Sequence, residues 1–152
     1  MSIIWKYLDK RSATEAALKD YESMEFIIQN TAESSKTERE KMTGIASPRF
    51  EAMPRVHNTK AGEDRILAGI KEIDVLKERY RQAVEYMDWF QPAWDELSEA
   101  ERFVLRTFYD TNVRQADAVH AICAQYQIER SSAYNKKNRA LEHLQILLYG
   151  RD

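Results

Sequence analysis

The sequence predicts an all-α protein in two parts: a long, coiled-coil-like helical hairpin in residues 1–94 and a group of shorter helices in 95–152. Three observations carry this expectation. Only four glycines and three prolines interrupt 152 residues, and 32% of them are charged, a composition that favours solvated helices. Apolar residues recur at spacings of three and four along two long stretches, the signature of one helix face turned to a partner. Past Pro92, Ser98 and Glu101 have the S-x-x-E spacing with which a new helix begins.

Taken in order, Ala17, Tyr21, Met24 and Ile28 predict a helix over 12–30. Before it, Ile3, Ile4, Trp5, Tyr7 and Leu8 are apolar enough to pack on a neighbour. From Thr31 to Ala61 the periodicity is lost in a stretch holding Pro48 and Pro54, which predicts a connector over 31–61, long for a compact domain. A second helix then carries Ile66, Ile70, Ile73, Leu76, Tyr80, Val84 and Met87 in a narrow stripe. A stripe of this kind needs a partner helix. The segment around Ala17 to Ile28 supplies one as an antiparallel pair, and a second copy of the chain supplies another. Gln91-Pro92 is expected to stop this rod, with Trp89, Phe90 and Trp94 packing at the junction. Three shorter helices follow: one through Val104, Leu105 and Phe108, one through Val119, Ile122, Cys123 and Tyr126, and a last one through Ala133, Ala140, Leu141, Leu144 and Leu148. Asp110-Thr111-Asn112 marks a turn between the first two.

Charge and sulfur narrow the function. A net charge of −2 argues against a protein that coats nucleic acid through bulk positive charge. The positive residues are nevertheless gathered: Arg130, Lys136, Lys137 and Arg139 face Glu129 alone between residues 129 and 141. The single cysteine, Cys123, excludes an internal disulfide, and His57, His120 and His143 do not stand at zinc-ligand spacing with it. No cofactor or metal is expected. The start MSIIWKYLDKR lacks the features of a signal peptide, and the apolar runs are too short to span a membrane, so a cytoplasmic protein without a membrane partner is expected. No pairing of nucleophile, base and metal emerges from the sequence, and no catalytic residues are assigned.

The spacing from Val119 onward carries the specific reading. In a helix-turn-helix two short helices cross closely, which requires apolar residues at fixed places and a small residue where the backbones approach. Val119, Ile122, Tyr126, Ile128 and Ala133 fill apolar places, and Cys123 falls at the small one. Cys123 is therefore read as a packing residue. The last helix then offers Arg130, Ser131, Tyr134, Asn135, Lys137 and Asn138 as candidate DNA contacts. Arginine and asparagine hydrogen-bond base edges bidentately, and lysine is a common phosphate contact.

The stretch from Leu97-Ser98-x-x-Glu101-Arg102 through Val104-Leu105, and from Ile128-x-Arg130 to Arg139-Ala140-Leu141-x-x-Leu144, resembles region 4 of bacterial sigma factors, a helix-turn-helix that reads the promoter −35 element. It covers about a third of the chain. The helical first half, the Ser47-Pro48…Met53-Pro54 connector and this tail are together similar to small phage and prophage transcriptional regulators of the late-gene activator type. By that resemblance Arg130, Ser131, Tyr134 and Asn135 stand where sigma factors contact DNA, and RNA polymerase is implied as a partner. The chain departs from the pattern at Gln127, where a turn glycine is usual, at Glu129 in place of a capping serine, at Tyr134 in place of arginine, and at Lys136, which occupies an apolar place.

The expected function is thus sequence-specific binding of double-stranded DNA in transcription regulation, by a homodimer or higher homo-oligomer. Two rival readings stand beside it. One is a helical interaction protein or adaptor without DNA binding, favoured by the Ile66 to Met87 stripe and by the apolar end Leu144, Ile146, Leu147, Leu148 and Tyr149. The other is a DNA-packaging subunit like the small terminases of phages, in which the DNA-binding part usually comes first.

Overall fold

The computed structural model describes residues 7–43 and 59–151. Among these the backbone forms five helices and no strand: α1 (Lys10–Thr43), α2 (Thr59–Glu96), α3 (Glu99–Phe108), α4 (Gln115–Tyr126) and α5 (Arg130–Tyr149). The all-α class expected from composition is therefore observed. No helix among the described residues is long and apolar enough to cross a membrane.

Helix α1 begins where Asp9 satisfies otherwise orphaned donors of its first turn. The Asp9 carboxylate accepts from Ser12 N at 3.1 Å and from Ser12 Oγ at 2.8 Å, bonds that hold it below its ordinary pKa. The helix runs on past Asn30 to Thr43, so residues 31–43 of the expected connector are helical, as are Thr59 to Ala61 at its other end. The reason lies in what an apolar pattern cannot register. The partly covered positions of α1 continue from Met24, Ile27 and Ile28 through Thr31, Ser35 and Glu38, a seam at helical spacing made of polar residues. Neither glycine nor proline interrupts it. The Ser47-Pro48 and Met53-Pro54 pairs lie outside the described residues, as do Ile3, Ile4 and Trp5.

Helix α2 also outlasts its expected end, because Pro92 lies inside it. A proline interior to a helix removes one i to i−4 bond, here the one that would end on the Asp88 carbonyl. Asp88 and Pro92 are both exposed, so the broken bond falls on the outer side of the helix. The opposite side buries Phe90, Ala93, Trp94 and Leu97, and that burial holds the last turn in place. Ser98 then caps α3: its Oγ accepts from Glu101 N at 3.2 Å while Glu101 Oε2 accepts from Ser98 N at 2.9 Å. Asp110 forms the expected turn, its Oδ1 accepting from Asn112 N at 2.8 Å.

The chain divides into two compact units, Met1–Ser23 with Tyr86–Asp152, and Met24–Glu85. In the first, Ala17 and Leu18 of α1 share a core with Phe90, Ala93, Trp94 and Leu97, with Leu105 of α3, and with Ala140, Leu141, Leu144 and Leu148 of α5. Each large side chain fully buried there contributes roughly 1.5–3 kcal/mol. Polar bonds fix the register of α1: Tyr86 Oη donates to the Ala17 carbonyl, Tyr21 Oη to Gln91 Oε1 at 2.8 Å, and Tyr109 Oη to Glu15 Oε1 at 3.0 Å. Tyr21, Phe90 and Trp94 lie against one another with ring centroids 5.5 to 5.9 Å apart.

In the second unit α2 buries Gly69, Ile73 and Ala83 and half-buries Leu76 and Val84, while Ile66, Ile70 and Tyr80 of the expected stripe are exposed at 48%, 45% and 44%. The covered line uses small residues that an apolar count passes over. It leaves Ile66 and Ile70 on the flank.

Replacing Pro92 with alanine restores a helical N–H at an exposed position. The substitution is expected to raise stability by about 1–2 kcal/mol after allowing for the more flexible unfolded chain. Urea denaturation followed by circular dichroism checks it, and an unchanged or lower midpoint would show that the proline fits its place without cost.

Candidate nucleic-acid interface

Helices α3, α4 and α5 pack on one another around a second core of Val104, Val119, Ile122 and Ala133, with Phe108, Cys123, Tyr126, Ile128 and Tyr134 against it. All six residues that the spacing assigned to the crossing of α4 and α5, namely Val119, Ile122, Cys123, Tyr126, Ile128 and Ala133, lie in this cluster. Ile122 and Ala133 are 0% and 1% exposed, and half-buried Cys123 carries a free thiol.

Three residues join the two helices. Gln127 ends α4 in the left-handed region at φ 51, ψ 51, its N–H and that of Ile128 both donating to the Cys123 carbonyl. Left-handed backbone costs a residue bearing a Cβ about 1–2 kcal/mol, which explains why a glycine is usual there. Ile128 drops back into the core. Glu129 is extended and starts α5 through its carbonyl, which accepts from Ala133 N at 3.0 Å, but its side chain caps nothing.

One side of α5 is consumed by packing: Ala133, Ala140, Leu141, Leu144 and Leu148 are buried. The six candidate contacts divide accordingly. Arg130, Ser131 and Asn135 are exposed. Tyr134 is half-buried, its ring edge-on to Phe108 at 5.7 Å, with the Arg130 guanidinium 6.0 Å from its centroid. Lys137 turns inward as well, with Nζ 4.4 Å from the centroid of Phe108 and 5.8 Å from that of Tyr109. Burial and then the nearby Arg11 guanidinium lower its pKa. Asn138 is half-buried, and its Oδ1 accepts from Arg11 Nη2 at 2.9 Å.

Three cations near this face were not among the candidate contacts. Arg139 is exposed four residues beyond Asn135, continuing the line Ser131, Asn135, Arg139 along one face of α5. Lys136, at a place where the sigma pattern is apolar, is exposed with Nζ 4.7 Å from the Tyr126 ring centroid. Helical spacing from Ser131 gives Arg139, whereas Lys136, three residues past buried Ala133, stands where the same spacing predicts a packed residue. Arg11 stands 127 residues away in the chain, and no local pattern signals it.

Glu101 ties α5 to the start of α3, accepting from His143 Nδ1 at 2.9 Å. Partial burial raises the Glu101 pKa, but the bonds from Ser98 and His143 outweigh it and leave the carboxyl below its ordinary value of 4.5. A depressed carboxylate pKa adds stability above the unfolded value, and that stability is lost as pH falls through the folded value. Among the described residues no three His, Cys, Asp or Glu side chains gather to hold a metal ion.

Two measurements follow from this geometry. Gln127→Gly is expected to stabilise the protein by about 1 kcal/mol by relieving the left-handed backbone, read as a higher urea midpoint; a lower midpoint would mean that the glutamine side chain contributes more than its backbone costs. Glu101→Gln is expected to flatten the fall in stability below pH 4.5, and a variant as acid-sensitive as the parent would place that sensitivity elsewhere. Compared with protein-family models, with curated proteins and with solved structures, the chain finds no match in any of the three.

Proposed function

We propose that α4 and α5 act as a helix-turn-helix that binds double-stranded DNA sequence-specifically, and that the chain regulates transcription. The observation that carries this reading is the division of α5 into a side packed through Ala133, Ala140, Leu141, Leu144 and Leu148 and an open side bearing Arg130, Ser131, Asn135 and Arg139. A helix can read a major groove only if such a side stays clear of its own protein. Arg130 and Asn135 take base edges in this reading, and Lys136 and Arg139 take phosphates. Tyr134, Lys137 and Asn138 form the border where the reading face meets the core. The resemblance to sigma region 4 and to phage regulators agrees with this assignment, and through it RNA polymerase is the protein partner.

Self-association belongs to the same proposal. Ile66 and Ile70, four residues apart on α2 and nearly half exposed, support pairing of two chains through α2, and a helix-turn-helix dimer reads half-sites about 34 Å apart. Sedimentation that finds only monomer at high micromolar concentration argues against it.

Selection of bound duplexes from a random pool by the whole chain tests the main reading, which expects enrichment of a defined motif. Binding is expected to weaken steeply with salt, with a log–log slope of about −4 to −5 for four to six phosphates. Arg130→Ala and Asn135→Ala are expected to reduce discrimination between sequences by roughly 1–3 kcal/mol, and Lys136→Ala or Arg139→Ala to make the slope shallower by about one unit. A pool that yields no motif favours instead a helical interaction protein.

A further inference from the structure

We propose that the first turn of α1 completes the duplex-binding surface: Arg11 supplies a phosphate contact beside α5 and, by holding the side-chain oxygen of Asn138, fixes that amide so that its NH2 group is presented to the duplex. This rests on the reading of α5 given above. It adds a residue from the other end of the chain to that surface and fixes what one of its members can recognise.

The orientation of Asn138 follows from elementary hydrogen-bond chemistry. An arginine offers donors only, and an asparagine amide offers one oxygen and one NH2 group. With Arg11 Nη2 2.9 Å from it, the Asn138 oxygen is the atom that must face Arg11, and the NH2 group is left as the end that can meet a ligand. A free asparagine pairs bidentately with adenine through both ends. In Asn138 the oxygen is held by Arg11 and the NH2 group is the end turned away from it. The base-edge groups its NH2 group can meet are acceptors: guanine O6 or N7, adenine N7, or thymine O4. Asn135, one turn earlier and exposed, is not bound in this way by Arg11.

Charge supports the phosphate contact. The side chain of Arg11 is 55% exposed, and its two acidic neighbours are both engaged by other donors: Glu15, at 3.7 Å, accepts from Tyr109 Oη, and Asp9, at the start of the helix, accepts from Ser12. Lys137 lies close enough for Arg11 to depress its pKa, so two cations stand at this edge of α5, with Glu15 and Asp9 as the carboxylates that face them. Arg11, Asn138, Leu141, Glu142 and Gln145 line an open cleft of about 360 Å³. Glu142 also lines that cleft, so the phosphate contact is assigned to the exposed Arg11 side chain and not to the cleft as a whole.

The test uses the whole chain in three variants, Arg11→Ala, Arg11→Lys and Asn138→Ala, each put through duplex selection and a salt titration on the sequence the parent selects. Arg11→Ala is expected to make the log–log salt slope shallower by about one unit, about fourfold less loss of affinity between 50 and 200 mM salt, and to relax one motif position. Arg11→Lys restores the slope, because it restores the charge. Asn138→Ala keeps the slope and relaxes the same motif position as Arg11→Ala. A parent that selects a motif while Arg11→Ala keeps both slope and motif overturns this inference and leaves the DNA-binding reading standing. Relaxation at different positions in Arg11→Ala and Asn138→Ala overturns the role of Arg11 in orienting Asn138. A parent that selects no motif removes both readings together.

Discussion

Burial of one side of α5, from Ala133 to Leu148, constrains the rest of the first unit. This helix belongs to both cores. Ala133 closes the smaller one with Val104, Val119 and Ile122, whereas Ala140, Leu141, Leu144 and Leu148 meet Leu105, Trp94, Phe90, Ala17 and Leu18 in the larger. Close packing makes both contacts sensitive to single methylene groups. Neither the roll of α5 about its axis nor its tilt against α4 is therefore free, and the residues left facing outward are decided by the residues facing inward. The small side chains at 133 and 140 matter as much as the leucines, since they let α5 come close to its neighbours. The reading face of the proposed interface is a remainder after packing.

That constraint separates what was legible in the sequence from what was not. The five helices, the Ser98 and Glu101 cap, the Asp110 turn and the clustering of Val119, Ile122, Cys123, Tyr126, Ile128 and Ala133 all follow from local spacing, because each depends on residues within one or two turns. The extension of α1 to Thr43 was hidden because its seam there consists of Thr31, Ser35 and Glu38. Pro92 was misread because a proline's cost in a helix depends on which side it lies, and the side is set by Phe90 and Trp94 packing on residues far away in sequence. The inward turn of Lys137 was missed for the same reason. Counting residue types along a helix cannot tell a lysine facing a groove from one lying on Phe108.

The electrostatics of the tail are more selective than its local charge implies. Of the cations between 129 and 141, Lys137 is drawn against Phe108 and Tyr109, where burial already opposes its charge. Arg130, Lys136 and Arg139 stay exposed. A protein of net charge −2 gains little long-range attraction to a polyanion, so in the proposed reading affinity for a duplex would come from a few well-placed contacts, with the steep salt dependence that phosphate neutralisation brings. Such a surface depends on geometry more than on charge count. Losing the tilt of α5 would harm it more than losing any one lysine.

Those demands bear on the size of the working unit. A segment cut at residue 95 keeps α3, α4 and α5 but loses Phe90, Ala93 and Trp94 of α2 and Ala17 and Leu18 of α1, which share the larger core with Leu105, Leu141 and Leu144. The leucines of α5 would then be left in water, at a cost of roughly 1.5–3 kcal/mol for each one fully uncovered, comparable in sum with the whole stability of a small domain. The smaller core around Ile122 holds α4 to α5 but does little for the far half of α5, where Leu144 and Leu148 sit. The amino-terminal turns of α1 therefore belong to the same folding unit as the tail. Arg11 is one residue past the start of that helix, so the packing that stabilises α5 also delivers a cation to its edge.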